Sequence, residues 1–380
     1  MEEVKARRKV KRMGGRTELA EDLVENILVR LPVKSLMRFK CVDRSWNVLF
    51  KTPTFVNNHL QIHRNQDNIM FSHRYFFRWV DLNKFLMLDS RDMFPEFNSE
   101  GLYDDDKIHL YNTQGHCNGV FCICVLFKHE IFPGEGRYHK SILWNPATRE
   151  VKVVPPPPMP SRSHHYTLLS GFGADPNSND LNVVNLIIDN ENNHPPHAVL
   201  YNLITNSWTL ITIDPVLVDT ISNLSLNYRG FLAKGICYWI ISHGCFDDEN
   251  ILCFDFRNNQ FHILQRPPTS KGNQSDFITE VNDSTAYVVH YYGKENYCKV
   301  EIWILEQDRW TKKHTFPPFE ALDGLYNIWK GGAEFIGLAA AGGQFHSFNS
   351  DSQLVRSLGV SSLMTDVVLK YVESITSLSF

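Results

Sequence analysis

A hairpin that returns about every fifty residues constrains this chain more than any other feature. Four segments share one design: Ile142–Val154 (ILWNPATREVKVV), Val199–Ile211 (VLYNLITNSWTLI), Ile251–Leu264 (ILCFDFRNNQFHIL) and Val300–Lys313 (VEIWILEQDRWTKK). Each joins two apolar-aromatic strands through a polar turn. Trp144, Tyr201, Phe254 and Trp303 fall at matching positions, 57, 53 and 49 residues apart, and Gln344–Leu358 is a weaker fifth copy. A second strand pair precedes each hairpin, at 108–127, 168–188, 224–241, 277–291 and 326–340. A four-stranded unit of this size hides its apolar faces only against neighbours of the same kind, which is the logic of a β-propeller. Five blades are visible directly. Strands left over before them (Ile69–Phe77, Lys84–Leu88) and after them (Asp366–Leu378) predict a sixth that joins both extremes of the wheel and removes its open edge. Six blades are expected, with five and seven left open. The fold class is therefore mainly β with a small α-helical N-terminal module.

Residues 17–60 form that module, ahead of a propeller assigned to 61–380. Leu19, Leu23, Ile27 and Leu31 fall four apart, and Ala20, Val24 and Leu28 fill the adjacent row, giving one helix a broad apolar face. Thr17 is the expected N-cap, Glu18, Glu21 and Asp22 suit the positive end of the helix dipole, and Pro32 ends the helix. A second helix is predicted from Val33 to about Phe50, with Leu36, Phe39, Val42, Trp46 and Leu49 on one side. Its other side is basic, from Lys34, Arg38, Lys40 and Arg44. Thr52-Pro53 opens a third helix whose Phe55 and Leu60 pack back on the first two. So small a module cannot cover this much apolar surface alone. A partner or the remainder of the same chain must do so, and composition leaves the two even.

Leu19, Glu21-Asp22-Leu23, Ile27-Leu28, Arg30-Leu31-Pro32, Lys34-Ser35-Leu36, Arg38-Phe39-Lys40-Cys41-Val42 and Ser45-Trp46 resemble the F-box of plant F-box proteins. One departure is Ala20, where the family usually has proline, which loosens the start of the first helix. The resemblance implies a Skp-family adaptor held by Leu19, Ala20, Leu23, Val24, Ile27, Leu28, Leu31, Pro32 and Leu36, and through it a cullin ligase and a ubiquitin-conjugating enzyme. The propeller half is similar to the F-box-associated domain of plants, and within it to the S-locus F-box group. Gly115-His116-Cys117-Asn118-Gly119, Leu143-Trp144-Asn145-Pro146-Ala147-Thr148-Arg149-Glu150, Gly171-Phe172-Gly173 with Asp175-Pro176, Thr205-Asn206-Ser207-Trp208 and Lys234-Gly235-Ile236-Cys237-Tyr238-Trp239 carry that similarity. Ile251–Phe256 and Gln265-Arg266-Pro267 belong to the same pattern. It implies a receptor whose propeller holds a protein target; for an S-locus member the target is a style ribonuclease, often basic, met in pollen.

Charge supports a divided chain. Residues 1–16 carry a net +5 and residues 17–60 a net +1, while the remaining 320 carry −10 within a total of −4. Lys5–Arg12 (KARRKVKR) reads as a disordered arm, a solubilising tail in preference to an import signal or nucleic-acid contact. The acidic body favours encounter with a basic partner. No apolar run approaches a membrane span, no signal peptide is evident, and eight cysteines without secretory context read as reduced thiols. A cytoplasmic location is expected, with the nucleus as a second option.

Repeat geometry locates a binding face. Connections between second and third strands, Lys128–Lys140, Asp189–His197, Ser242–Asn250 and Gly293–Lys299, emerge on one side of the wheel, differ from one another, and are longer than the third-to-fourth turns. They carry Glu130, Glu135, Arg137, Asp189, Glu191, Asp247, Asp248, Glu249, Lys294 and Glu295, with His129, His139, His194, His197 and His243. Target capture is assigned to that side, Asp247-Asp248-Glu249 being its most acidic point. Taken singly, each of these residues is more simply a solvated loop position. Asp104-Asp105-Asp106 either adds to that capture or caps a strand edge.

His116, Cys117, Cys122 and Cys124 lie close in sequence, but no second ligand pair with metal spacing follows, so buried thiols are expected and no metal or cofactor. Phosphate-loop, nucleophile-elbow and zinc-protease patterns are absent, and the G-x-G of Gly171-Phe172-Gly173 lacks the strand-and-helix context of a dinucleotide site. Two functions remain: a non-catalytic receptor subunit of a ubiquitin ligase, acting on a style ribonuclease or an unrelated target, and a propeller enzyme or lectin with a helical leader.

Overall fold

A computed structural model describes residues 19–379 except 65–68, 73–75, 82–83, 90–107, 128–138, 159–165, 190–193, 223–224, 244–245, 270–273, 293–296, 321, 330–331, 333, 340–342, 350–354 and 362–366. Five antiparallel four-stranded sheets are built from consecutive strands. The first holds β4 (Ile108–Cys117), β5 (Val120–Phe127), β6 (His139–Asn145) and β7 (Glu150–Val153), and the second β8 (Tyr166–Ala174), β9 (Leu181–Asp189), β10 (His197–Asn202) and β11 (Ser207–Ile211). The third holds β12 (Ser225–Ala233), β13 (Ile236–His243), β14 (Phe246–Asp255) and β15 (Gln260–Gln265). In the fourth are β16 (Gln274–Val281), β17 (Ser284–Tyr292), β18 (Tyr297–Glu306) and β19 (Arg309–Glu320); in the fifth, β20 (Leu322–Trp329), β21 (Glu334–Ala339), β22 (Gln344–Asn349) and β23 (Val355–Ser361). A closing sheet is shared between distant parts of the chain. Its innermost strand, β24 (Val367–Lys370), pairs with β1 (Ile69–Ser72), which leads outward to β2 (Phe76–Asp81) and β3 (Lys84–Asp89). The leftover segments thus close the wheel as their positions predict, although of the strand expected over Asp366–Leu378 only Val367–Lys370 forms and 371–378 is irregular.

First strands approach one another around the hub, and glycine sets how closely. A Cβ at Gly115 of β4 would lie 3.3 Å from the Phe172 carbonyl of β8, and one at Gly230 of β12 would lie 3.3 Å from the Ser170 carbonyl of β8. At the outer rim, two indoles clasp the preceding blade: Trp208 Nε1 donates to the Pro155 carbonyl at 3.0 Å and Trp310 Nε1 to the Gln265 carbonyl at 2.8 Å. Apolar cores fill the spaces between sheets, as where Leu169, Val184, Trp239, Leu252 and Phe254 meet between the second and third.

The recurring hairpin has a recurring turn. Asn145, Asn202 and Asp255 close the third strand, and each side-chain oxygen accepts a turn amide, from Ala147, Thr205 and Arg257. Four residues on, Arg149, Asn206 and Asn259 take positive φ of 61°, 51° and 56°, which turns the chain into the fourth strand. The fourth blade departs from this. Its turn is the two-residue Gln307-Asp308, both at positive φ, so Leu305 opposite Trp310 occupies the place of Trp144, Tyr201 and Phe254. Trp303 lies two residues earlier, which corrects the alignment made from spacing.

The described helices near the start are α1 (Glu21–Leu28), α2 (Val33–Phe39), α3 (Arg44–Leu49) and α4 (Pro53–His63). Ala20 stands at the cap position of α1 with no side-chain cap, whereas Thr17 and the basic arm lie outside the described residues. The single second helix expected over Val33–Phe50 is two. Asp43 adopts an extended backbone, and its carboxylate accepts from the Ser45 amide at 2.7 Å, starting a new helix inside an unbroken apolar period. Thr52 caps α4 as expected, its hydroxyl accepting from the Phe55 amide at 3.3 Å. A helix that sequence reading missed, α5 (Pro215–Ser222), bridges the second and third blades and buries Ile221.

Candidate functional site

Antiparallel four-stranded blades put first-to-second and third-to-fourth turns on one side of the wheel and second-to-third connections on the other. The helical module sits on the turn side. Asn57 of α4 accepts a hydrogen bond from Asn179, in the β8–β9 turn, and Asn179 accepts one from Asn118, in the β4–β5 turn, at 2.7 Å. Arg64, just past α4, meets Glu280 at 2.9 Å and Asp283 at 3.3 Å around the β16–β17 turn. Burial holds Lys40 below its ordinary pKa, opposed by the charge of Glu150 at the start of β7.

Between module and wheel runs an irregular strap, residues 371–378. Asn145 donates to the carbonyls of Ser374 and Thr376 at 3.0 and 2.8 Å, and Glu150 accepts from the Leu378 amide at 2.6 Å and the Ser377 hydroxyl at 3.1 Å. Tyr371 stacks on Phe121 at 5.6 Å between ring centroids. Leu378 is buried with Val120, Leu143 and Phe172 of the first two blades. Ile375 faces the other way and is buried with Leu28, Val29, Val33, Leu36, Phe50 and Phe55 of the module.

The nine residues expected to hold an adaptor therefore separate. Leu28 and Leu36 belong to the module's own core, Val24 and Leu31 are half-buried against it, and Ala20 and Pro32 are exposed. Leu19, Leu23 and Ile27 stand 61%, 52% and 53% exposed in a row four residues apart, with Val42 and Val48 exposed nearby in sequence. The expectation that one apolar face needs one cover is refined: the inward face is covered by strap and wheel, and the outward row is open to solvent. Fully burying an aliphatic side chain gains about 1.5–3 kcal/mol, so this row offers a partner a substantial contact.

On the far side, Asp189 is half-buried at the end of β9, in register with Tyr166. Asp247, Asp248 and Glu249 do not lie in a loop. Ladder pairing resumes at His243–Phe246, so β14 carries all three at its outer end. Glu130, Glu135, Arg137, Glu191, Lys294, Glu295 and Asp104–Asp106 lie outside the described residues. Sequence reading overlooked a buried carboxylate on that half of the fourth blade. Glu301 accepts from Lys299 at 2.6 Å, Lys312 at 2.9 Å, Tyr291 at 3.2 Å and the Trp303 indole at 3.3 Å. Beside it, Arg266, Asp276 and Tyr287 form a buried polar group between the third and fourth blades.

Burial pushes the thiols of Cys117 and Cys124 up to about 12 and Cys122 well above its ordinary value, so they are protonated. Among the described residues, no group of three or more His, Cys, Asp or Glu is placed to hold a metal ion, and no helix is long and apolar enough to cross a membrane.

The family pattern described as an F-box associated beta propeller domain matches residues 69–334. Relatives in Arabidopsis thaliana include two named as F-box proteins, 26% and 25% identical over 68% and 78% of this chain and covering 64% and 74% of their own length. One named as an F-box/kelch-repeat protein is 24% identical over 76% of this chain and 72% of its own. Among solved structures, an oligogalacturonate lyase in complex with manganese aligns with a TM-score of 0.40 at 13% identity, over 77% of this chain and 74% of the lyase. A likeness of that size carries neither activity nor ligand to this chain.

Proposed function

We propose, from the premise that this chain belongs to the F-box associated β-propeller family, that it is the target-receptor subunit of a Skp-cullin-F-box ubiquitin ligase. The open row of Leu19, Leu23 and Ile27 carries this reading, because it leaves a helical module already docked on its wheel with an apolar contact to give. A Skp-family adaptor covers the row, and the opposite side of the wheel holds the target. The receptor itself breaks no bond. Catalysis follows from holding target lysines beside a loaded conjugating enzyme, which replaces a bimolecular encounter with a local one.

The acidic charge of residues 61–380 makes a basic protein the target class, with Asp189 and the Asp247-Asp248-Glu249 strand end at its seat. A basic style ribonuclease met in pollen fits that class. The reading is tested by capturing a purified plant Skp adaptor with the full chain and with its Leu23→Asp/Ile27→Asp variant, near-ultraviolet circular dichroism reporting the propeller. Wild-type capture that the variant loses while keeping its spectrum supports it. Equal capture by both removes the α1 row from the interface.

A further inference from the structure

We infer that the helical module is completed by the strap, so that adaptor recruitment is conditional on a closed propeller. This rests on the receptor reading above and adds a regulation to it. Among the described residues, seven form the buried core beneath α1–α4, and six come from the module; the seventh, Ile375, follows Phe55 by 320 positions and is 1% exposed. A four-helix unit of some forty-five residues is below the size at which a core sustains itself, so removing one of seven buried members falls heavily on it.

Ile375 reaches that core only because its neighbours are fixed to the wheel. Asn145 holds the carbonyls on both sides of it, at Ser374 and Thr376. The Thr376 hydroxyl donates to the Asn118 carbonyl at 3.3 Å, and Gly119 leaves space that a Cβ would take, 2.3 Å from Cβ of Ser374. Immediately before the strap, β24 closes the ring by pairing with β1. Ring closure, strap placement and insertion of Ile375 are thus consecutive along the chain, and Glu150 sits at their junction, bonded to Leu378 and facing Lys40 of the module. A chain whose wheel has not closed presents α1 on a loosened base, and its adaptor row is no longer a fixed surface.

The test is hydrogen exchange on the full chain, comparing wild type with Ile375→Asp and the milder Ile375→Ala. In both variants, amides of α2 and α4 should exchange faster, by more than about tenfold for Ile375→Ala, while β8–β11 and β16–β19 keep their protection. Asn145→Ala should move the same helices in the same direction without touching the module. Unchanged protection of α2 and α4 in Ile375→Ala overturns the inference, as does loss that spreads equally through the propeller strands. Adaptor capture is measured in parallel and should fall in Ile375→Asp. If wild type itself captures no adaptor, the receptor reading fails, and the exchange data still decide whether the strap completes the module.

Discussion

The side-chain amide of Asn145 donates to the main-chain carbonyl of Thr376 at 2.8 Å, spanning 231 positions of sequence. The same amide group serves Ser374, while its oxygen accepts from Ala147 and Thr148, so one residue both shapes a hairpin turn and fixes the strap. Asn145→Ala should lower unfolding stability by about 2–3 kcal/mol, since each lost internal hydrogen bond is worth about 0.5–1.5 kcal/mol and buried carbonyls lose their donor. The midpoint of a urea titration measures this; a shift below a few tenths of a molar would mean that water replaces the amide without loss.

Gly119 tolerates no side chain. It takes φ of 78°, and a Cβ would meet Ser374 Cβ at 2.3 Å and the Val372 carbonyl at 2.8 Å. Gly119→Ala should therefore cost roughly 2 kcal/mol or more, from strain and strap displacement together. Pairing it with Ser374→Gly should recover part of the melting temperature, because only one of the two contacts is relieved.

Trp208 and Trp310 each tie an outer strand to the blade before it. Replacing either with Phe keeps most of the ring and removes the donor, at about 1 kcal/mol. The two clasps join different pairs of blades, so the double variant should show additive loss within about 0.5 kcal/mol by denaturant titration. Strong non-additivity would show that strain passes around the wheel.

Acid should weaken the fold before carboxylates titrate. Burial pushes His59, His116 and His290 down to about 4, so these imidazoles stay neutral when folded, and it lowers His63 in the same direction. Unfolded histidines take protons near pH 6.5, so between about 4 and 6.5 the unfolded chain binds more protons. Stability should be fullest above that range and fall as pH drops through it, each group contributing a slope of up to about 1.4 kcal/mol per pH unit. Urea midpoints at pH 7.5, 5.5 and 4.5 measure the slope, and a flat profile contradicts the burial of these rings.

Target capture should depend on charge at the outer end of β14. Asp247→Lys/Asp248→Lys/Glu249→Lys is expected to weaken association with a basic style ribonuclease most at low salt, with the two proteins converging toward 1 M, where screening reaches about 3 Å. Equal affinity at low salt would move the target seat elsewhere.

Much of the wheel was legible because its signals are local. Alternation, turn residues such as Asn145-Pro146 and Asn206, and the Thr52-Pro53 cap each act within a few positions. The split between α2 and α3 was hidden because Leu36, Phe39, Val42, Trp46 and Leu49 keep a helical period across Asp43, and only the extended backbone there reveals the break. Trp303 misled for a related reason, as a shorter turn shifted the register by two residues and left the aromatic on the same face. The partition of the α1 apolar surface was not legible at all. Leu28 and Ile27 are adjacent and alike in hydrophobicity, yet one meets Ile375 and the other meets water, a difference set by a residue more than three hundred positions away.

Mounting the helices on the turn side also fixes a length. Nine-residue strands such as β8 and β9 rise about 30 Å at 3.3 Å per residue, which separates the two ends of the wheel. On the receptor reading proposed above, cargo seated at the far end would be presented at arm's length from the adaptor, and the lysines within range of modification would be those that such a ruler, more than any affinity, selects.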